Sequence, residues 1–241
     1  MKLKNTTLAA IIKDELMNPA GGIRDFVRCI VPYVEKAIIV DTGSTDGTRE
    51  ELERLEKEYP HLKVFDEPFE GFATARNKSL AMVDTDRALV LDADERIRYN
   101  DLDEFAWRLR QNDRVREIIN YNFDFIVVYP DKEVRGNGHN PRLFHLDKQT
   151  HYIIENCEVI NNFPGICVNL DRYIYHFRAK QNAFDKKDIE WYDLIGRTRT
   201  IDPNKLKQGP SSCPSFSEWT KLNPQRIDFE GLHPLDTNLF I

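Results

Sequence analysis

The chain has 241 residues, 41% of them hydrophobic and 31% charged, with a formal net charge of −6. That size and apolar share suit one large domain with a full core, or one domain with an elaborated tail. The negative balance, with both signs interspersed, implies no general affinity for nucleic acid and reads as an ordinary solvated surface.

Four cysteines, Cys29, Cys157, Cys167 and Cys213, form no C-x-x-C pair and show no zinc-site spacing. Free thiols in a reducing compartment are the simplest account, although Cys157 and Cys167 could meet across a hairpin. The N-terminal "MKLKNTTLAAIIKDE" holds an apolar stretch of five residues, too short for a signal peptide. No run approaches the ~18 apolar residues of a membrane span. The expectation is a soluble, cytoplasmic protein without a transmembrane segment, with peripheral docking on a membrane left open.

In chain order, "TLAAIIK" (7–13) is a short, β-branched apolar run and predicts a buried strand. "GGIRDFVRCIVPYV" (21–34) places apolar residues at 23, 26, 27, 30, 31 and 34, a helical stripe. "KAIIVD" (36–41) is a second strand. "DGTREELERLEKEY" (46–59) is a helix, with Asp46 or Thr48 as its expected N-cap and glutamates in the first turn, where the dipole favours them. "LKVFDE" (62–67) is a strand, "FATARNKSLAMV" (72–83) a helix and "RALVLD" (87–92) a fourth strand. This alternation predicts an open, mostly parallel sheet covered on both faces. Such sheets bind ligands outside the carboxyl ends of their strands. Lys13, Asp41, Asp66 and Asp92 all fall at predicted strand ends and are expected to face one crevice.

After residue 100 the pattern changes. A helix is expected at 101–112, then a long strand at 117–130 with a hairpin through "PDKE". Further strands are expected at 140–148, 150–160 and 172–177, and a helix at 182–196. From 203 onward lie five of the twelve prolines and no clear periodicity. The expected organisation is a ligand-binding half at 1–100, a second half of the same domain at 101–200, and an irregular tail at 201–241.

"ALVLDADERI" (88–97) drives an apolar strand straight into Asp92, Asp94 and Glu95. Adjacent carboxylates cannot all stay ionised cheaply, so something must neutralise them. Carboxylate oxygens are the hard ligands that Mg²⁺ or Mn²⁺ prefers, and such an ion commonly bridges phosphate oxygens. Arg76, near the start of its helix, is placed to pair with phosphate or with Asp92. Dinucleotide and P-loop readings lack their motifs: no G-x-G-x-x-G follows the first strand and no G-x-x-x-x-G-K-[ST] occurs. The D-T-G-S within "VDTGSTDGT" (40–48) also occurs in aspartic proteases, but the strand–helix alternation argues against that all-β fold.

"AIIKDE", "IIVDTGSTDGT", "F(x)2ARNKSL" and "LVLDADE", in this order and spacing, resemble the nucleotide-sugar-binding half of family 2 glycosyltransferases of the GT-A fold. In appearance the nearest subgroup is that of bacterial lipopolysaccharide-core sugar transferases. The resemblance spans about residues 7–97 and continues through "NPRLF", "THYIIENCEV" and "YIYHF". It implies an α/β, mostly parallel sheet flanked by helices, with an antiparallel acceptor-side extension. It implies a hexosyltransferase that moves a sugar, with inversion, from a nucleotide-diphospho-sugar to a hydroxyl of a glycan or glycolipid acceptor. Lys13, Asp41, Arg76 and Asp92 would bind the donor. Asp92, Asp94 and His176 would hold Mn²⁺ or Mg²⁺. Glu158 would be the catalytic base, with Glu155 as its rival, because Cys157 stands where a histidine is expected. Thr42 replaces a second aspartate found in many family 2 enzymes. The loop "LMNPAGG" (16–22), beside the donor pocket, is longer than usual. Two other readings stand beside this one: a non-catalytic nucleotide-sugar-binding module, and a D-x-D phosphohydrolase, which would want its motif near the first strand.

Overall fold

A computed structural model of the chain describes residues 2–18, 20–112, 118–128, 133–135, 140–146, 150–154, 159–160 and 166–177. The helix expected at 182–196, the tail at 201–241, and Glu155, Cys157, Glu158 and Cys213 lie outside the described residues.

Strand β1 (Leu3–Ile12), helix α1 (Ile23–Ile30), β2 (Val34–Asp41), α2 (Thr48–Glu58), β3 (Leu62–Asp66), α3 (Phe72–Ala81) and β4 (Arg87–Val90) build the first half. Strand β5 (Glu95–Arg96) and helix α4 (Tyr99–Asn112) follow, then β6 (Ile118–Val128), β7 (Glu133–Arg135) and β8 (Asn140–His145). Strands β9 (Tyr152–Ile154), β10 (Val159–Ile160) and β11 (Ile166–Phe177) complete the described chain. The main sheet runs β3-β2-β1-β4-β8-β6-β11-β5, with β7 on β6. β1 to β4 are mutually parallel where they pair. β8 enters antiparallel between β4 and β6, and β11 lies parallel to β6. The expected mixed α/β architecture is the one observed.

Side chains alternate across a strand, so β1 feeds two cores. Leu8, Ala10 and Ile12 face a cluster with Ile23, Phe26, Val27 and Ile30 of α1, Leu52 and Leu55 of α2, and Leu102, Phe105 and Leu109 of α4. Ala9 packs on the opposite face with Ala73 and Leu80 of α3, Phe144 and Tyr152. Among the described residues, no helix is long and apolar enough to cross a membrane.

Among the boundaries that differ from the sequence expectation, three have a local reason. α1 stops at Ile30 and a single 3₁₀ turn, Val31–Tyr33, follows, because Pro32 has no N–H to continue the helix. At α2 the N-cap is Gly47, with φ 100°; Asp46, one residue earlier, accepts from the Thr48 N–H at 3.0 Å and its hydroxyl at 2.6 Å. The segment at 150–160 is not one continuous strand. β9 and β10 pair antiparallel, with Val159 opposite Ile154, so the chain reverses between them.

Candidate functional site

Parallel pairing aligns Ile12 with Asp41 and Asp41 with Asp66, so the carboxyl ends of β1, β2 and β3 form one edge. Asp41 is 2% exposed. Its Oδ1 accepts the Gly43 and Ser44 N–H groups, each at 2.8 Å, which shapes the turn after β2. Its Oδ2 is buried and has no hydrogen-bond partner among the described residues. A buried carboxylate oxygen is rarely left without a donor, so this atom is suited to a donor brought by a ligand. Lys13 follows β1 at the same edge and is half-buried. Asp66 is turned to solvent and held by Arg49, at 2.6 and 3.1 Å.

The three carboxylates of the "DADE" turn sit in three environments. Asp92 pairs with Arg76, which is 2% exposed, through Oδ1. Its Oδ2 lies 3.5 Å from Arg142 Nη2. Burial alone would raise the Asp92 carboxyl; Arg76 and Arg142 outweigh it and hold the group well below the usual carboxylate range. Glu95 is fully buried. It accepts from Arg142 Nη2 at 2.6 Å and from the Asp92 N–H at 3.0 Å. Burial, opposed by Arg142 and reinforced by Asp92, pushes the Glu95 carboxyl up to about 7. Arg142 is raised in turn: burial would lower it, but Glu95 and Asp92 prevail. Its guanidinium also lies 5.2 Å from the Phe125 ring centroid. Within the protein, two arginines thus neutralise the crowded carboxylates.

Asp94 has a different partner. Its Oδ2 is 3.0 Å from His176 Nε2, and since a carboxylate only accepts, the ring N–H donates. β11 places His176 here because it pairs with β5, with His176 opposite Glu95, and because the Phe177 N–H bonds Asp94 O at 3.0 Å. Adjacent ligands on an octahedral ion with bonds of about 2.1 Å stand about 3 Å apart, so Asp94 and His176 are spaced as neighbouring ligands of one divalent cation that would take the place of the Nε2 proton. Among the described residues, no group of three His, Cys, Asp or Glu is arranged to hold an ion alone. Two protein ligands suit Mg²⁺-type sites, which take their remaining positions from phosphate and water. Asp92 is committed to the arginines in this arrangement.

The chain after β1 is tied to the turn after β2: the Asp14 N–H donates to Ser44 Oγ at 2.8 Å and the Glu15 N–H to Thr48 Oγ1 at 2.8 Å. Asn18 Oδ1 accepts the Ala20 and Gly22 N–H groups, both at 2.9 Å, and its Nδ2 donates to Ala93 O at 3.1 Å. Buried Arg96 donates to Ala93 O at 2.8 Å and to Ala20 O at 2.7 Å. Gly22, with φ 84°, lets the loop pass so close that a Cβ there would stand 2.2 Å from Leu16 O. The loop and the "DAD" turn are therefore tied at Ala93.

Arg142 was not singled out in the sequence, and Glu95 was named only as one of three crowded carboxylates. Glu95 lay inside the quoted "LVLDADE" and Arg142 inside "NPRLF", but neither stretch shows locally that they meet. Glu155 and Glu158, in the connection from β9 to β10, lie outside the described residues. Thiol chemistry finds no support at Cys29, whose buried sulfur is pushed up to about 12 by burial against the opposing pull of Arg96. Cys167 is a free, exposed thiol.

The sequence profile of glycosyl transferase family 2 matches residues 27–177. No curated protein matches the chain. Among solved structures, S. aureus TarS 1–349 in complex with UDP-GlcNAc is similar at 13% identity and TM-score 0.51, over 81% of this chain and 64% of that one. The mannosyltransferase PcManGT from Pyrobaculum calidifontis, in complex with GDP-Man and Mn²⁺, shows 20% identity and TM-score 0.41, over 49% of this chain and 35% of that one. The chain spans 38% of a further TarS structure, at 14% identity, TM-score 0.48 and 81% of this chain. At these identities the TarS 1–349 likeness establishes the fold, the GT-A type.

Proposed function

The chain belongs to glycosyl transferase family 2, and from that premise we propose that it moves a hexosyl unit from a nucleotide-diphospho-sugar to a hydroxyl of a glycan or glycolipid, inverting the anomeric centre. The carrying observation is the "DAD" turn at the carboxyl edge of the parallel strands. It holds Asp92 against two arginines and leaves Asp94 facing His176, 3.0 Å away. A turn so divided presents cationic and metal-binding character to one point, as a departing diphosphate needs.

In this reading Asp41 Oδ2 accepts a hydrogen bond from the base or ribose of the donor. Lys13, at the same edge, faces the donor's negative charge. Arg76 and Arg142 keep Asp92 ionised and fixed in place, and set positive charge beside the leaving group. A divalent ion, Mn²⁺ or Mg²⁺, held by Asp94 and His176, supplies charge neutralisation to the diphosphate when bound. Glu158 takes the proton from the attacking hydroxyl. A single displacement by that hydroxyl inverts the centre it attacks.

UDP-GlcNAc, the ligand of the TarS structure, is the natural first probe, with GDP-mannose as a purine-nucleotide comparison. Binding to the native state raises apparent stability. The expected result is a thermal shift with one of these donors, larger with Mn²⁺ present, together with slow release of free sugar. A protein that binds neither donor and neither nucleoside diphosphate is not a nucleotide-sugar transferase. One that binds a donor and never hydrolyses or transfers it is the binding module instead.

A further inference from the structure

The backbone on either side of Asp94 is held by side chains and strands from elsewhere. The Ala93 carbonyl belongs to the peptide plane that leads into Asp94, and the Asp94 carbonyl to the plane that leads out. Asn18 Nδ2 and Arg96 Nη1 donate to the first, at 3.1 and 2.8 Å, and the Phe177 N–H donates to the second at 3.0 Å. With both planes held, the Cα–Cβ bond of Asp94 has a set direction. Asn18 is 4% exposed and uses its full hydrogen-bonding capacity: its oxygen accepts the Ala20 and Gly22 N–H groups, and its nitrogen also donates to Glu15 Oε2 at 2.8 Å. Two residues earlier, the Leu16 N–H donates to Asp46 Oδ2 at 3.0 Å, next to the bond from Glu15 to Thr48. Those partners lie on the turn that Asp41 opens. Asn18 therefore links the end of β2 to the turn after β4, across the 75 positions that separate it from Ala93.

Resting on the transferase reading, we propose that Asn18 is a positioning residue for the divalent ion: through the Ala93 carbonyl it keeps Asp94 aimed at His176. It touches neither the ion nor the donor. A site with Asp94 and His176 as its protein ligands gains little from ligand number, so its affinity depends on how well those ligands are aimed beforehand. An Asp94 freed on one side must be ordered again each time an ion binds, and that ordering weakens the ion. Asp41 and its bonds to the Gly43 and Ser44 N–H groups do not pass through Ala93, so nucleotide binding without metal does not depend on this tie.

The test uses the whole chain, UDP and GDP, and calorimetry over a series of Mn²⁺ concentrations, so it needs no turnover. Asn18→Asp keeps an oxygen for the Ala20 and Gly22 N–H groups and loses the donor to Ala93 O. Its added negative charge would by itself attract a cation, so a weaker metal effect in this variant cannot come from charge. The Mn²⁺ concentration that gives half of the gain in nucleotide affinity should rise about tenfold, the usual worth of a group that supports a metal ligand. Nucleotide affinity without metal should stay within about twofold. Asn18→Ala, which adds no charge, should show the same split with a lower unfolding midpoint, because the bonds to Ala20 and Gly22 go as well. If the alanine variant does not fold, Asn18→Asp carries the test. An unchanged Mn²⁺ requirement in a folded variant overturns the proposal, even where the midpoint falls, because Asn18 would then serve only the stability of the loop. An equal loss of affinity with and without metal also overturns it, since Asn18 would then act on the nucleotide side. Failure of the transferase reading shows earlier and separately, as an unsubstituted chain that binds neither nucleotide.

Discussion

Arg142 Nη2 stands 2.6 Å from Glu95 Oε1, across 47 positions of sequence. The bond joins β8, which pairs antiparallel with β4, to β5, which follows β4 in the chain. Removing one partner of a buried pair strands the other. Arg142→Ala should destabilise the fold by about 3–5 kcal/mol at pH 8. At pH 5, where Glu95 carries a proton, the loss should be smaller. Urea unfolding at both pH values measures the difference, and an equal loss at each would mean Glu95 is not the charge that Arg142 serves.

Glu95 also gives the fold a pH signature. Its carboxyl is raised from an ordinary 4.5 to about 7. A raised group contributes stability fully present below the ordinary value and lost as pH climbs through the raised one. The wild-type Tm should therefore fall relative to Glu95→Gln between about pH 4.5 and 7. Asp92 has the opposite sign. Held low, it contributes stability above its ordinary 3.8, lost only in stronger acid, outside this window. A flat difference between the two proteins from pH 5 to 8 would count against the raised carboxyl.

Asp41 offers a substitution that separates turn from ligand. Asp41→Asn keeps an oxygen for the Gly43 and Ser44 N–H groups and removes the charge at the second atom. Losing a charge-assisted bond should weaken UDP or GDP binding by about 1.5–3 kcal/mol, with the unfolding midpoint nearly unchanged. Calorimetry showing equal nucleotide affinity would remove Asp41 from the donor site.

How far the sequence could be read follows from the range of each signal. β1, β2 and β4 are short continuous apolar runs and α1 carries a 3.6-residue apolar stripe, all within a dozen residues, so they were visible. Asp41 and Asp92 were visible because each closes an apolar run. β5 was not: two residues show no period, and its partner β11 lies some 80 positions on. For the same reason nothing local announces that Arg142 neutralises Asp92, whereas adjacent carboxylates by themselves point to a metal. The break between β9 and β10 was hidden because "THYIIENCEVI" alternates well enough to pass for one strand. Asn18, whose amide reaches Ala93 from 75 positions away, sits in "LMNPAGG", a stretch with no period to mark it.

The metal assignment is tested by separating Asp94 from Asp92. Asp94→Ala removes an oxygen 3.0 Å from His176 and leaves the Arg76 and Arg142 pairs in place. Mn²⁺ should strengthen UDP or GDP binding to the wild type, and that strengthening should vanish in Asp94→Ala and shrink in His176→Ala. Binding without metal should be little altered. A metal effect that survives in both variants would move the ion elsewhere.

The base assignment turns on a connection of four residues, 155–158, between two short antiparallel strands. If 150–160 were one strand, Glu155 and Glu158, three apart, would point to opposite faces, and one could be excluded by parity. The chain reverses between β9 and β10, so parity does not choose between them. Their chemistry still can. Glu→Gln keeps size and hydrogen bonding but cannot accept the proton. If Glu158 is the base, Glu158→Gln should lower kcat by about 10²–10⁴-fold, the usual worth of general-base help. The donor KM should barely move, because the base faces the acceptor. Glu155→Gln should be nearly silent. With water as acceptor the same comparison is made on donor hydrolysis, so the natural acceptor need not be known. The reverse result, a dead Glu155→Gln and an active Glu158→Gln, would transfer the role to Glu155. Two active variants would take the base out of this connection and leave the acidic residues that follow His176, Asp185 and Asp188, as the next pair to substitute.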